Sequence, residues 1–440
     1  MSSSILLSSG SNAHGQLSNG TVDDSHEFLP CSFYSFPPGT MPPQTRRVVD
    51  IASGANHTII LLETYDSSGA LQTDIWGCGD GSSGQLGATY KAGEPSAIFR
   101  PIELSLGREG LDGHHVKLVS ACWETIYVVL DGEGKGDILL SLGSDDFGHL
   151  GVGDVNKGKG REITKPFHIV EFRHLTIEGL SFTDATITIQ SITSGQRHVV
   201  ACLQVSWNHG RTRNCMVGWG ASRHGQLGIH AKDGRPIPFL STPSIVYIDD
   251  PNDPTTSTAL GNQHTVFLHA SGKVTALGSN RKGQLNRLEN AQRVTSLGCT
   301  WNGTYVLVRR DDGNTQILAT GSHAHGQLGR KLTIRPSSVN FPSLAPVELD
   351  PSSNNGHVSA IACGTEHILA LVSGPAEVSG TSVWGWGWNE HGNLGTGTTD
   401  NVFVPVKIWP LASKDETQAS HKAIAIWAGS GTSWIYATAR

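Results

Sequence analysis

Four histidines recur at one position of a repeated segment, and histidine is both a common metal ligand and a proton carrier near neutral pH. The segments read IASGANHTIILL, ITSGQRHVVACL, TALGNQHTVFLH and IACGTEHILALV, and their histidines are His57, His198, His264 and His367. Convergence of the four would make a metal site. Degenerate copies of the segment place Thr125, Trp301 and Thr432 where the histidine belongs. We therefore expect structural hydrogen bonding from these histidines, and neither a metal nor another cofactor.

Two glycine-rich stretches suggest phosphate binding at first sight. Residues 79–84 read GDGSSG and match GxGxxG, but the dinucleotide motif needs a following helix and an acidic residue about 20 positions on. Here Gln-Leu-Gly follows, and the surrounding motif recurs along the chain, which favours a structural turn. Residues 157–161 read KGKGR without the GKS or GKT ending of a P-loop. No Ser-His-Asp or Cys-His arrangement can be singled out, because such triads are recognised by geometry. We predict no catalytic residue and a non-enzymatic protein.

A second motif recurs seven times, with WGCGDGSSGQLG at residues 76–87 as its clearest copy. Its marker glycines are Gly15, Gly84, Gly148, Gly225, Gly283, Gly326 and Gly392. The glycines that precede the recurring histidines are Gly54, Gly195, Gly261 and Gly364. Both sets suit backbone crowding and turns with positive φ. We expect the leucine of GQL to fill the layer between repeats, and its glutamine to bond the backbone of a neighbouring turn.

The elements that carry these motifs are short strands. Each period supplies about four of them, and a four-stranded antiparallel unit repeated seven times is typical of a propeller. The chain opens at residues 4–8 on a lone strand of the kind that leads into the WGCGDGSSGQLG motif. It closes on residues 433–438, a strand that needs such a partner. We predict an all-β, seven-bladed β-propeller of four-stranded blades, as one domain over residues 1–440. The strand at 4–10 should complete the last blade, at 396–440.

Composition excludes several classes of protein. The chain has 440 residues, 53 glycines and 37% hydrophobic residues, which fits many strands joined by tight turns. A formal net charge of −6 argues against general affinity for nucleic acid or anionic membrane. The seven cysteines are scattered without a CxxC pair, which indicates reduced thiols rather than a zinc site or disulfide framework. We expect a monomeric cytoplasmic protein, with a nuclear pool left open.

Two sets of residues are candidates for binding a partner. The first is three tryptophans in turns where related repeats have smaller or polar residues: Trp123, Trp301 and Trp388. Exposed tryptophan is a typical hot spot of interfaces, although packing between blades explains these residues equally well. The second is a basic loop at 153–166, with Lys157, Lys159, Arg161 and Lys165. It could meet an acidic partner or RNA phosphate, or be a solvated loop.

The paired motifs WGxGxxGQLG and GxxHxxxL resemble the repeats of the regulator-of-chromosome-condensation family of seven-bladed propellers, over essentially the whole chain. One branch exchanges guanine nucleotide on the small GTPase Ran and binds chromatin, with a characteristic basic N-terminal tail that is not seen here. A second branch is fused to ubiquitin-ligase or kinase domains. A third comprises small fungal propellers of the alpha-tubulin suppressor, or killer-toxin-insensitivity, branch, and the opening SILLSSGSNAHGQL is similar to it.

The third branch implies a scaffold that binds a small zinc protein and the Elongator complex, in diphthamide synthesis and tRNA wobble-uridine modification. The first branch implies the alternative, a guanine nucleotide exchange factor for a Ran-like small GTPase. A wedge-like hairpin on one face would favour exchange, and residues 153–166 are the best candidate for it. Direct binding of tubulin stays open.

Overall fold

The computed structural model describes residues 4–87, 90, 96–153, 167–208, 210–332, 342–349, 357–374, 380–410 and 421–439. Its secondary structure is almost entirely antiparallel sheet, in seven blades, and the predicted class of seven-bladed β-propeller is confirmed. The residues form two compact units. The middle unit holds His14–Gln16 and Pro42–Pro254, and the terminal unit holds Met1–Ala13, Leu17–Met41 and Thr255–Arg440. No helix in the described ranges is long and apolar enough to span a membrane.

The middle unit contains three blades. Blade 1 has the strands Thr45–Ser53, His57–Tyr65, Leu71–Gly79 and Ser96–Pro101. Blade 2 has the strands His115–Ala121, Thr125–Asp131, Ile138–Gly143 and His168–Ile169. Blade 3 has the strands Ala185–Ser194, His198–Trp207, Thr212–Ala221 and Phe239–Ile248. A small hairpin, Thr176–Ile177 with Leu180–Ser181, and the 3-10 helices Leu106–Glu109 and Phe182–Asp184 lie between these strands in sequence.

The terminal unit contains four blades. Blade 4 has the strands Thr255–Leu260, His264–His269 and Val274–Gly278. Blade 5 has the strands Val294–Thr300, Gly303–Arg309, Thr315–Gly321 and Ala345–Pro346. Blade 6 has the strands His357–Cys363, His367–Ser373, Thr381–Gly387 and Val402–Trp409. Blade 7 has the strands His421–Ala428, Thr432–Ala439, Ser4–Gly10 and Ser25–Pro30. We call the four strands of a blade first to fourth, in these orders.

Blade 4 departs from the predicted four strands. After its third strand and the turn at Gly283, the chain forms the 3-10 helix Leu288–Asn290 and then enters blade 5 at Val294. The 43 residues from Gly283 to Gly326 form the shortest period of the repeat. Within the described residues this short period supplies no fourth strand for blade 4, and the other six blades have four strands each.

Blade 7 joins the two ends of the chain. Ser4–Gly10 pairs antiparallel with Thr432–Ala439, in a register that runs from Ser4 opposite Thr438 to Gly10 opposite Thr432. Ser25–Pro30 then pairs on the outer side of the N-terminal strand. Two strands therefore come from each end. The C-terminal contribution begins at His421 rather than at the expected residue 396, because Val402–Trp409 pairs within blade 6.

The second strand of each blade is buried on both faces. His57–Tyr65, Thr125–Asp131 and His264–His269 have nearly every residue buried. Strands that are covered on both faces read as continuous apolar runs rather than as an alternation, and TIILL and TIYVVL follow that rule. Apolar side chains of adjacent blades meet in shared clusters, such as Tyr305 and Leu307 of blade 5 with Ile368 and Trp386 of blade 6.

The GQL turn after the third strand of blade 5 needs its glycine for two reasons. Gly326 has a φ of +85°, and a Cβ on it would lie 2.5 Å from the carbonyl oxygen of Val402, on the fourth strand of the next blade. The leucine is buried, as Leu328 shows. The predicted partner of the glutamine was wrong: Gln327 Oε1 accepts from the His325 N–H at 2.8 Å, inside its own turn. The Gln327 side chain thereby supplies the acceptor for the backbone N–H of His325.

Candidate functional site

A four-residue turn joins the first and second strands of each blade, and we number its residues as positions one to four. In blade 6 these are Gly364, Thr365, Glu366 and His367. The N–H at position one donates to the carbonyl at position four, at 2.9 Å. A Cβ on Gly364 would lie 2.2 Å from His367 Cε1 and 2.6 Å from the carbonyl oxygen of Gly429 in blade 7. The glycine is therefore required by close packing.

The four recurring histidines are buried. Burial lowers the pKa of His57, His264 and His367 to about 4. His264 Nε2 lies 3.1 Å from Thr304 Oγ1, and His367 Nε2 lies 3.0 Å from Ser433 Oγ. These contacts connect adjacent blades within the terminal unit, as expected of structural histidines. No group of three His, Cys, Asp or Glu residues placed to hold a metal is found among the described residues.

Trp301 does not occupy the histidine position, so that sequence alignment was wrong. Gly303 pairs with Gly321 in blade 5 as His367 pairs with Gly387 in blade 6. Position four of blade 5 is therefore Gly303, and Trp301 stands at position two. Trp123 also stands at position two, in blade 2, because Thr125 pairs with Gly143. The error arose because the two strands of blade 5 gave no histidine to fix the register.

Position two connects neighbouring blades through the backbone. In the middle unit the Ala55 N–H donates to the Trp123 carbonyl at 2.8 Å, and the Trp123 N–H donates to the Gln196 carbonyl at 3.1 Å. In the terminal unit the Trp301 N–H donates to the Thr365 carbonyl at 2.8 Å. The side chains of Trp123 and Trp301 are half-buried, so each is partly packed and partly available at the surface.

Glu366, at position three of blade 6, was not identified from the sequence. Its Oε1 accepts from Asn302 Nδ2 at 2.8 Å, and its Oε2 accepts from Gln327 Nε2 at 2.6 Å. Burial raises the pKa of the Glu366 carboxyl, and these two hydrogen bonds oppose that rise. Position three holds Asn56 in blade 1, Gln263 in blade 4 and a second carboxylate, Glu124, in blade 2, so its residue type alone did not single out Glu366.

Two of the three predicted tryptophans bond the backbone of this turn. The Trp388 N–H donates to the Glu366 carbonyl at 2.9 Å, and Trp301 contacts residue 365 as described. The Trp388 ring is half-buried and meets the His391 ring edge-on, with centroids 5.2 Å apart. Its other neighbour is Gly431, where a Cβ would lie 3.4 Å from Trp388 Cζ3. We call Trp301, Glu366 and Trp388, with the amides of Asn302 and Gln327, the acidic turn site.

The middle unit has a different arrangement at the same turn positions. Arg197, at position three of blade 3, places its guanidinium carbon 4.4 Å from the centroid of the Phe147 ring. Phe147 belongs to the GQL-type turn of blade 2 and also stacks with His149, at 6.4 Å between centroids. Trp123 lies at position two of blade 2, so this unit combines an aromatic turn with a cation.

The basic loop cannot be assigned a structure. Lys157, Lys159, Arg161 and Lys165 lie outside the described residues, as does the expected wedge-like hairpin, apart from Gly153 at its start. The Gly153 N–H donates to the Ser241 carbonyl at 2.8 Å, which ties the start of this loop to blade 3. The basic residues stay a prediction.

Sequence comparison identifies the repeats. The profile of the regulator of chromosome condensation (RCC1) repeat matches residues 5–61, 315–371 and 382–433, and a second profile of the same description matches 256–284. A secretion-regulating guanine nucleotide exchange factor of Mus musculus is 25% identical, over 92% of this chain and 79% of its own length. An RCC1 repeat-containing protein of Schizosaccharomyces pombe is 25% identical, over 98% of both chains.

Comparison of folds agrees with these repeats. Yeast RCC1, in its complex with Kap60, superposes with a TM-score of 0.68 at 16% identity, over 100% of this chain and 90% of that one. Human WBSCR16 superposes with a TM-score of 0.65 at 18% identity, over 99% of both chains. At these identities the likeness establishes the fold alone.

Proposed function

The chain is a propeller of regulator-of-chromosome-condensation repeats, and from that premise we propose that it is a non-enzymatic regulator that binds protein partners through the turns that hold Trp301, Glu366 and Trp388. The observation that carries the proposal is the acidic turn site. Its backbone is fixed by the repeat, and it places two half-buried tryptophans and a carboxylate in adjacent turns of blades 5 and 6. Partly exposed tryptophan beside a charged group is the composition of interface hot spots.

The regulated partner that we propose is a small GTPase of the Ran type. Two relatives named as secretion-regulating guanine nucleotide exchange factors, which match over 92% and 91% of this chain, support this choice. A propeller promotes exchange without making or breaking covalent bonds, because it binds the nucleotide-free GTPase more tightly than the nucleotide-bound form. This activity needs a preformed surface and no catalytic side chain.

The test measures release of labelled GDP from a Ran-like GTPase at micromolar propeller. We expect release to accelerate by about tenfold or more over the spontaneous rate, and the nucleotide-free GTPase to form an isolable complex. A propeller unfolded by heat serves as the control for non-specific effects. Release at the spontaneous rate, with no complex, would remove the exchange proposal.

A second candidate is a scaffold for a small zinc protein of diphthamide synthesis and for Elongator in tRNA wobble-uridine modification. The similarity of the segment SILLSSGSNAHGQL to the fungal alpha-tubulin suppressor branch favours it. Affinity purification of the tagged chain from a cytoplasmic extract, followed by mass spectrometry, is the test. Recovery of the zinc protein in stoichiometric amount supports the scaffold, and its absence together with that of all Elongator subunits argues against it.

A further inference from the structure

We propose that blade 4 takes up an extended, acidic segment of a partner protein as the fourth strand that it lacks within the described residues. The segment pairs antiparallel with the outer edge of the third strand, Val274–Gly278. Addition of a strand to an open sheet edge is a common mode of peptide recognition. This edge contains none of the residues of the acidic turn site, so the surface goes beyond the proposed function and requires no GTPase.

The third strand of blade 4, Val274–Gly278, has hydrogen-bonding groups on its outer side. It pairs antiparallel with the second strand, and the His269 N–H donates to the Lys273 carbonyl at 2.9 Å immediately before its start. Residues that exchange hydrogen bonds alternate along an antiparallel pair, so Val274 and Ala276 point their N–H and C=O groups away from the second strand. Within the part of the chain that the structure describes, no strand pairs with this edge.

Other blades show what such an edge binds, when residues are counted back from the glycine that pairs with position four. Three of them use the carbonyl at the position of Val274 to accept the N–H of the residue after the fourth strand: Ile75 at 3.0 Å, Leu139 at 2.9 Å and Ile317 at 2.9 Å. In blades 2 and 5 the fourth strand is only two residues long, His168–Ile169 and Ala345–Pro346. Each pairs with the counterparts of Thr275 and Ala276, so a short edge is enough to hold a fourth strand.

Blade 4 leaves this edge accessible to solvent. Ala276, Leu277 and Gly278 are each partly exposed. All three counterparts are buried in blades 1, 3, 5, 6 and 7, and two of the three are buried in blade 2. The 3-10 helix Leu288–Asn290 packs near the start of the strand, where Leu288 and Val274 belong to one buried cluster. The end of the strand is therefore the part that an added segment can reach.

An unpaired arginine follows the turn at the end of this strand. Arg287 follows GQLN in blade 4 as Arg330 follows GQLG in blade 5. Arg330 is buried, and its guanidinium donates to the carbonyls of Ala345, in the fourth strand, and Ser343, at 2.9 and 3.1 Å. Arg287 has a φ of +58° and leads into the 3-10 helix, and its side chain is exposed. Among the described residues, no acceptor bonds its guanidinium, so this cation is available to a partner.

The segment around the open edge is basic, although the chain as a whole has a formal net charge of −6. Residues 273–293 contain one acidic side chain, Glu289, and five basic ones: Lys273, Arg281, Lys282, Arg287 and Arg293. Within the described ranges only Arg293 forms an ion pair, with Asp311, and the other four cations are exposed. Complementary charge favours an acidic segment. It disfavours a second copy of the chain, because pairing of two identical edges brings the same cations together.

The test is a titration of the full chain with a blocked heptapeptide that alternates glutamate and valine, which has one apolar face when extended. We expect saturable binding and slower hydrogen exchange of the strand Val274–Gly278, because the added strand accepts from the Ala276 N–H. The peptide that alternates lysine and valine should bind at least about tenfold more weakly. No saturable binding of the acidic peptide, or binding that leaves exchange of this strand unchanged, would overturn the inference.

Two N-methylated forms of the acidic peptide distinguish strand pairing from attraction between charges. One form is methylated on its valines and the other on its glutamates, so each lacks N–H donors on one edge of the extended peptide. A strand pairs through one edge, so we expect only one of the two forms to lose affinity, by about tenfold or more. Equal affinity of the two forms would refute strand pairing.

Two matched charge reversals test the unpaired arginine. Arg287→Glu should weaken binding of the acidic peptide by about tenfold, whereas Lys331→Glu should change it less than about twofold. Lys331 is exposed after the corresponding turn of blade 5, where a fourth strand is present. Ala276→Pro removes the outward N–H without removing a hydrogen bond of the blade, and should also abolish binding. Urea unfolding of each variant separates loss of binding from loss of fold, and equal effects of the two reversals would contradict the inference.

Sedimentation of the free chain tests the other occupant of the edge, a second copy. We expect a monomer at micromolar concentration, because like charges flank the edge. A dimer that the acidic peptide does not dissociate would replace the inference with self-pairing. The peptide assay contains no GTPase, so failure of nucleotide exchange and failure of strand addition are observed separately.

Discussion

The turns of blades 5 and 6 meet at one junction, and the turns of blades 2 and 3 meet at another. The two junctions have the same backbone hydrogen bond and differ in the charge at position three. In both, the tryptophan at position two donates its N–H to the position-two carbonyl of the next blade, from Trp301 to Thr365 at 2.8 Å and from Trp123 to Gln196 at 3.1 Å. At position three, the terminal unit has Glu366 held by two amides, and the middle unit has Arg197 on the Phe147 ring.

The difference separates what the repeat fixes from what it leaves free. Positions one and four are constrained by packing, as Gly364 and His367 show, whereas position two connects blades through its backbone and accepts different side chains. Position three also holds its place through the backbone, as the hydrogen bond from the Trp388 N–H to the Glu366 carbonyl shows. Its side chain is therefore free to carry either sign of charge, and recognition can vary without a change in fold.

The largest expected effect tests the shared backbone. Gly364→Ala places a Cβ 2.2 Å from His367 Cε1, and Gly54→Ala places one 2.1 Å from His57 Cε1. We expect each variant to lose about 3 kcal/mol of unfolding free energy or more, because neither ring nor backbone can retreat. Urea unfolding measures the loss. Gly20→Ala is the control, since nothing lies within 4 Å of its Cβ and only the positive φ of +86° costs about 1 kcal/mol. A loss at Gly364 no larger than that at Gly20 would contradict the packing argument.

The next effect comes from the buried histidines in both units. The folded pKa of His57, His264 and His367 is about 4, below the ordinary 6.5. Between these values the unfolded chain binds more protons, so stability falls as the pH drops from 6.5 towards 4. We expect a loss of about 2 kcal/mol per histidine between pH 7 and pH 5.

The matched variant for this pH dependence is His367→Thr, the residue type found at position four in Thr125 and Thr432. It should be less stable at pH 7, because the contact with Ser433 is lost, but its stability should fall less steeply with acid. Chemical unfolding at several pH values separates the loss of stability at pH 7 from the change in the slope of stability against pH. An unchanged slope would show that His367 is not a source of the acid sensitivity.

A smaller effect tests the amide support of Glu366. Asn302→Ala removes the donor to Oε1 and should cost about 1.5–3 kcal/mol, the range for hydrogen bonds to charged groups, and should raise the pKa of Glu366 further. Combining it with Glu366→Gln should cost much less than the sum of the two single changes. Additive losses in the urea measurements would mean that the two residues are not coupled.

The smallest effect tests the junction between blades 2 and 3. A double-mutant cycle of Arg197→Ala and Phe147→Leu should give a coupling of about 0.5–1 kcal/mol, as expected for a cation over a ring near the surface. Thermal unfolding at low and high salt provides the measurement. A coupling of zero would reduce the junction to its backbone contacts and weaken the contrast with Glu366.

The sequence was sufficient for the seven-bladed architecture, though not for the three-stranded blade 4, because the requirements of each turn are local and repeated. Gly326 and its six counterparts all adopt positive φ, between 71° and 85°, which a turn of this shape demands whatever surrounds it. The pairing of Ser4–Gly10 with Thr432–Ala439 was predicted because each end of the sequence carries part of a blade that needs the other part. The tryptophans of the acidic turn site were also identified, because they depart from the residues at equivalent positions.

Tertiary structure decided the rest. The register of blade 5, with Gly303 at position four, depends on which residue pairs with Gly321, and no local signal marks it. Glu366 joins Asn302 and Gln327, which are 64 and 39 residues away along the chain, only because adjacent blades bring their turns together. A repeated sequence specifies each blade through short-range sterics, whereas the charge and partners of a side chain at a blade junction depend on residues that no spacing rule connects.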